Sequence, residues 1–261
     1  MTFKDVLVHV DNTQQCTARL DLAVGLAKRH RAHLTGLYVI SYPHYRPRHE
    51  STELKAAEAE ASFRQKTAQV GISAEWLCVD WAVAGVSMTE IVTLHAYHRD
   101  LVIVGQTHEG DTPPDLPERV VSGSGRPVLI VPYAGTFETV GEQVMVAWKP
   151  GRESVRALND AMPFLLDARQ ATVVTVNSSD SGEDLGNVCT HLARHGVTAK
   201  GEELMAGDIP VGDMLLNQAW EDGSDLLVMG AYTHTIRGTF AIGQVARHVL
   251  RHMTMPVLMS H

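Results

Sequence analysis

The chain has 261 residues, 44% of them hydrophobic and 20% charged, enough for one large globular domain or two ordinary ones. Lys and Arg number 22 against 30 Asp and Glu, a net charge of -8 with no basic cluster, which disfavours nucleic acid as the main partner because phosphate neutralisation needs gathered cations. No apolar run is long enough to span a bilayer, and the scattered Cys16, Cys78 and Cys189 form neither a disulfide framework nor a metal spacing.

Taken in order, residues 5–10 form a nearly continuous apolar run and read as a strand covered on both faces. Asp11, Asn12 and Thr13 suit a turn and helix cap. A helix follows to about His30, with Leu20, Val24 and Ala27 at helical spacing. Residues 34–40 are a second strand, 41–49 a loop holding Pro43 and Pro47, and 50–70 a helix rich in Ala and Glu. A third strand over 72–79, a helix over 86–97, a fourth strand over 101–105 and a fifth over 127–132 complete the first half.

The second half repeats this order. Strands fall at 143–147, 171–176, 197–204, 226–230 and 256–259, with helices at 154–167, 183–195, 210–221 and 243–252. Each half ends a buried strand on glycine, as Asp100-Leu101-Val102-Ile103-Val104-Gly105 and Asp225-Leu226-Leu227-Val228-Met229-Gly230. Each later closes on Pro-Val-Leu, at Pro127 and Pro256. A repeat of this length, well beyond the roughly 20–50 residues of solenoid units, means two copies of a whole domain. The expected domains are 1–135 and 143–261, joined by a linker over 133–142. The expected fold class is α/β: two doubly wound five-stranded parallel sheets, of order 2-1-3-4-5 or a close variant, related by pseudo-two-fold symmetry.

In such sheets ligands bind beyond the carboxyl ends of the strands where the strand order reverses. The lips of that crevice are Asp11-Asn12 and Gly105-Gln106-Thr107-His108 in the first half. In the second they are Lys149-Pro150-Gly151 and Gly230-Ala231-Tyr232-Thr233-His234, followed by Gly238 and by Gly243-Gln244-Val245 opening a helix. A glycine there lets an anion approach the free helix amides.

Jointly, the first-strand Val-Asp11, the two strands ending at Gly105 and Gly230, and the two Pro-Val-Leu strands resemble a bacterial-type tandem universal stress protein over essentially the whole chain. The resemblance implies an adenine-nucleotide α-hydrolase-like or flavodoxin-like layered fold, and in some members ATP binding through G-x2-G-x9-G-[ST] after the fourth strand. An Asp ending the first strand then meets the adenosine and a second-strand valine contacts the base. In the second half Gly230 and Gly243 match, but Thr233 replaces the middle glycine, Gln244 the final Ser/Thr, and Lys149 the acid; Val176 holds the base position and Val245 follows Gln244. Threonine is β-branched and resists a positive φ, so this loop is expected to depart from the family's. The first half keeps Asp11, Val39 and Gly105, but His108 replaces the middle glycine and Glu118 the phosphate glycine. A carboxylate repels a triphosphate, so the first half is expected not to bind ATP in the family manner.

The rival signals are weaker. The histidine pairs His191/His195, His248/His252 and His95/His98 have no Asp, Glu or Cys at a spacing that completes a metal site, and read as solvated helix faces. Ser122-Gly123-Ser124-Gly125 reads as a glycine-rich turn rather than a nucleophile elbow. Cys16 reads as a small buried helix residue, and Trp76, Trp81, Trp148 and Trp220 as core or interface. His108 and His234 occupy equivalent places and are the best polar candidates in the crevices.

The expectation is a cytoplasmic stress-response binding protein that is not an enzyme, with no metal, no nucleic acid and no membrane partner. ATP or AMP in the second half is the candidate ligand. A nucleotide sensor using the second domain and a slow ATPase stay open as alternatives. Fifth strands at sheet edges leave unpaired backbone groups. Pairing of 128–131 with 257–259 inside the chain is therefore expected, an internal pseudo-dimer with a homodimer built on top of it.

Overall fold

The computed structural model describes residues 2–40, 50–108, 113–177, 181–236 and 239–261, with positions 50–52, 82–83, 181–183, 233–236 and 239–241 described as backbone only. The loop expected over 41–49, together with Gly238, lies outside the described residues. The chain divides into two compact units, Thr2–Thr136 and Phe137–His261.

In the first unit five strands, β1 (Asp5–Val10), β2 (His33–Ile40), β3 (Ala74–Asp80), β4 (Leu101–Gly105) and β5 (Val128–Val131), lie parallel in the order β3-β2-β1-β4-β5. This is a variant of the expected 2-1-3-4-5 order: β3 adds outside β2 instead of beside β1. Helices α1 (Cys16–His30), α2 (Glu50–Val70), α3 (Trp81–Ala84), α4 (Met88–Ala96) and α5 (Leu116–Ser124) connect them. Val6, Leu7, Val8 and residues 101–104 are fully buried, as strands covered on both faces must be. Ser87 and Glu90 form a reciprocal capping box that starts α4. The Ser122–Gly125 stretch is not a free turn: Ser122, Gly123 and Ser124 end α5, and Gly125 closes it at φ 61°.

The second unit follows suit with β6 (Gln143–Ala147), β7 (Gln170–Val176), β8 (Ala199–Leu204), β9 (Leu226–Gly230) and, last in the chain, β12 (Val257–Ser260), parallel in the order β8-β7-β6-β9-β12. The helices are α6 (Arg152–Asp160), α7 (Met162–Leu165), α8 (Ser181–Arg194), α9 (Val211–Glu221) and α10 (Gln244–His252). The single helix expected over 154–167 is broken in two, with Pro163 at the start of α7. Between β9 and α10 stands an unexpected antiparallel hairpin, β10 (Thr233–Ile236) with β11 (Thr239–Ile242).

The repeated Asp-Leu motif has a physical reason in each unit. The Asp100 carboxylate accepts the amides of Lys4 and Asp5 at 2.7 and 3.1 Å, pinning the start of β1 beside β4. The Asp225 carboxylate takes the amides of Gly141, Glu142 and Gln143 at 2.9 to 3.1 Å and pins β6 beside β9 in the same way. The closing prolines supply carbonyls only: Pro127 accepts from Val102 and Pro256 from Leu227, each at 3.1 Å. No helix among the described residues is long and apolar enough to cross a membrane.

Candidate functional site

In each unit the strand order reverses between two neighbours, β1 and β4 or β6 and β9, and the crevice lies beyond their carboxyl ends. The two crevices are filled differently.

In the first, Asp11 follows β1, but both its oxygens are engaged. Oδ1 accepts the amide and hydroxyl of Thr13 at 2.9 and 2.5 Å, and Oδ2 accepts Arg19 Nη2 at 2.6 Å. Arg19 comes from the first turns of α1, is 4% exposed, and lies directly over Gly105, where an added Cβ would fall 2.0 Å from Nη1. Gly105 thus makes room for a guanidinium of the protein itself. Burial tends to raise the Asp11 pKa, but Arg19, with His9 and Thr13, outweighs it and holds the carboxyl well below the usual range. His9 is buried beside this pair, with Nδ1 at 4.0 Å from Asp11 Oδ2, and burial pushes its pKa down to about 4 against the pull of Asp11. Burial raises the Cys16 thiol, whose Sγ accepts the Asp11 amide at 3.4 Å, so Cys16 is a packed, protonated residue. Val39 is buried in β2. His108 is exposed and meets Tyr133 edge-on at 5.2 Å. Glu118, expected at a phosphate glycine's place, sits in the first turn of α5.

In the second unit the crevice is an open cavity of about 480 Å³. The structure brings Lys149, Val176, Gly230, Gly243, Gln244 and Val245 together around it. Thr233 begins β10; its side chain, like that of His234, lies outside the described residues, and Tyr232 lines the cavity instead. Ala147, Val174, Val211, Leu215 and Met229 add apolar wall. Among the described residues the charged ones lining it are Lys149 and Glu153. Eight residues past Lys149 stands Ala157, where the first unit has Arg19 eight past Asp11. The bulky cation that fills the first crevice has no counterpart at this position of the second.

Glycine at 230 is a matter of approach. An added Cβ would lie 2.6 Å from both the Ser154 amide nitrogen and the Glu153 carbonyl carbon, so only glycine lets the first turn of α6 come down on β9. Gly243 caps α10 with φ -59°, which any residue adopts, but its Cβ would sit 3.1 Å from the Tyr232 carbonyl. Neither α6 nor α10 has a side chain capping its first amides.

Trp148, expected in core or interface, is buried and is also one of the residues around the cavity. It is 9% exposed, and its indole N–H donates to Asp184 of α8 at 2.6 Å. Its place directly after β6, at the strand's carboxyl end, is the signal that marks it. Trp220, by contrast, is 75% exposed and belongs to no core. The His248–His252 pair has a carboxylate neighbour that spacing along α10 could not reveal, since Asp213 of α9 meets His248 Nε2 at 2.6 Å. Among the described residues no three His, Cys, Asp or Glu side chains are grouped to hold a metal ion.

Over 98% of this chain and 96% of the other, the fold matches a universal stress protein from Archaeoglobus fulgidus DSM 4304, with TM-score 0.77 and 18% identity. It also matches a functionally unknown protein from Pseudomonas aeruginosa PAO1, with TM-score 0.64, 17% identity, and 99% and 92% of the two chains covered. The cytoplasmic domain of a prokaryotic cation chloride cotransporter follows at TM-score 0.51 and 12% identity, over 98% and 95% of the chains. The fold thus serves more than one setting and does not name a function. No curated protein matches the sequence. The model of the universal stress protein family matches residues 2–132 and 190–261, one stretch in each unit. The chain belongs to the universal stress protein family.

Proposed function

We propose that this is a non-catalytic regulatory binding protein of the stress response, whose second unit takes an adenine nucleotide and whose first does not. The observation that carries the reading is the contrast between the crevices. One is filled by Arg19 held on Asp11; the other is a cavity of about 480 Å³ with apolar walls and a lysine at its lip. Such a cavity is of ligand size, and a few polar groups on apolar walls suit a flat base with an anionic tail. Family membership supports a nucleotide over other ligands of that shape. Among the described residues the charged ones lining the cavity are Lys149 and Glu153. A cytoplasmic homodimer completes the reading; the exposed Trp220 and Met205 offer apolar surface for such an interface.

Titration calorimetry tests the site. Gly243→Glu puts a carboxylate at the amino end of α10 and should abolish nucleotide binding while far-ultraviolet circular dichroism stays unchanged. Binding that persists in this folded variant would remove the second crevice from the account.

A further inference from the structure

We infer that Asp213 and His248 are a positioning pair for the second crevice: they clamp α9 to α10 and so hold two helices that wall the cavity at the separation its ligand requires. This rests on the nucleotide reading above and adds to it two residues that stand behind the wall rather than in it.

Each helix gives the cavity one short stretch. Val211 and Leu215 come from α9, four residues apart and therefore on one helical face. Gln244, Val245 and Ala246 come from the first turn of α10. Asp213 lies between the two α9 wall residues in sequence, and His248 stands two residues past Ala246. His248 Nε2 donates to Asp213 Oδ1 at 2.6 Å, a bond between helices whose partners are 35 residues apart in the chain. The surrounding packing fixes the imidazole in that place. An added Cβ at Gly212 would fall 2.6 Å from His248 Cδ2 and 3.2 Å from its Cβ, so the histidine lies directly on the backbone of α9. One turn on, His252 donates from Nδ1 to the His248 carbonyl at 2.9 Å, and the two imidazole centres are 4.3 Å apart with the rings tilted by 30°.

Apolar packing between helices is non-directional and tolerates sliding. A hydrogen bond to a carboxylate is directional and strong, and together with the close approach at Gly212 it sets both separation and register. A pocket is only as precise as the groups that support its lining. Without the bond, the first turn of α10 is free to shift against Val211 and Leu215. The amino end of α10 attracts an anionic group and the α9 residues offer apolar wall, so base and phosphate would feel the same displacement.

The test is calorimetric titration of the full chain with AMP, in the native sequence and in Asp213→Ala, His248→Ala, the double variant and Asp213→Asn. Both side chains are partly exposed, so each variant should fold, and urea midpoints check that it does. Asp213→Ala and His248→Ala should each weaken AMP about tenfold. The double variant should be no weaker than the worse of the two, because the same bond is lost in all three. Asp213→Asn keeps an oxygen for His248 Nε2 and should return to within about threefold of native affinity. Native affinity in folded Asp213→Ala overturns the clamp and leaves the nucleotide site standing. So do losses that multiply in the double variant, or Asp213→Asn as weak as Asp213→Ala. Silence from the native chain at millimolar AMP overturns the nucleotide reading and this inference with it.

Discussion

At the scale of single residues, the first crevice is decided by an ion pair between buried Arg19 and half-buried Asp11, and by its histidine neighbour. His9 holds a pKa near 4, while an ordinary histidine titrates near 6.5. Between those values the unfolded chain takes a proton that the folded one refuses, so stability falls as pH drops from about 6.5 toward 4. The full effect is on the order of 3 kcal/mol. Asp11 acts in the same direction lower down: its carboxyl is held below the usual range, so its stabilising contribution is lost as acid protonates it. Urea unfolding at pH 7 and pH 5 should show the midpoint dropping in the native chain and dropping much less in His9→Leu. Equal drops would refute a buried neutral His9. Positions such as Asp11, Lys149 and Gly230 were legible because they end strands. Arg19 was not: an arginine inside a helix ordinarily reads as solvent-facing, and only the reversal of strand order between β1 and β4 carries it over Gly105. Ala157, its small counterpart, gave no signal at all.

At the scale of elements, long apolar runs and amphipathic stretches marked the ten strands of the parallel sheets and most helices within a few residues. Short pieces escaped. The helix α5 begins two residues after Pro114 and contains Gly123, so proline and glycine argued for a loop where Pro117 in fact lies within the first helical turn. The hairpin β10–β11 escaped because the segment was read as a crevice loop that departs from the family's, although its β-branched residues pointed to strands. The contact that sets the mouth of the second cavity is α6 on β9 at Gly230. Gly230→Ala should destabilise the second unit by roughly 1–3 kcal/mol, because the clash is with backbone atoms of α6 that cannot rotate away. Denaturant midpoints check this; a loss near zero would mean α6 shifts freely and the cavity mouth is not built on that contact.

At the scale of the whole molecule, one fold appears twice with opposite uses of the same place. The duplication was plain from repeated strand endings, and the Asp-Leu pairs are now explained by the amides they pin at Lys4–Asp5 and Gly141–Gln143. The divergence was only half legible: the motif losses were visible, but an internal guanidinium in one unit against an open cavity in the other is a property of packing. Binding stoichiometry tests the claim most directly. Titration of the native chain with AMP should give one site per chain, retained in folded Asp11→Asn and absent in folded Gly243→Glu. Two sites per chain, or a single site lost with Asp11→Asn and kept with Gly243→Glu, would contradict the assignment of a filled first crevice and an open second one.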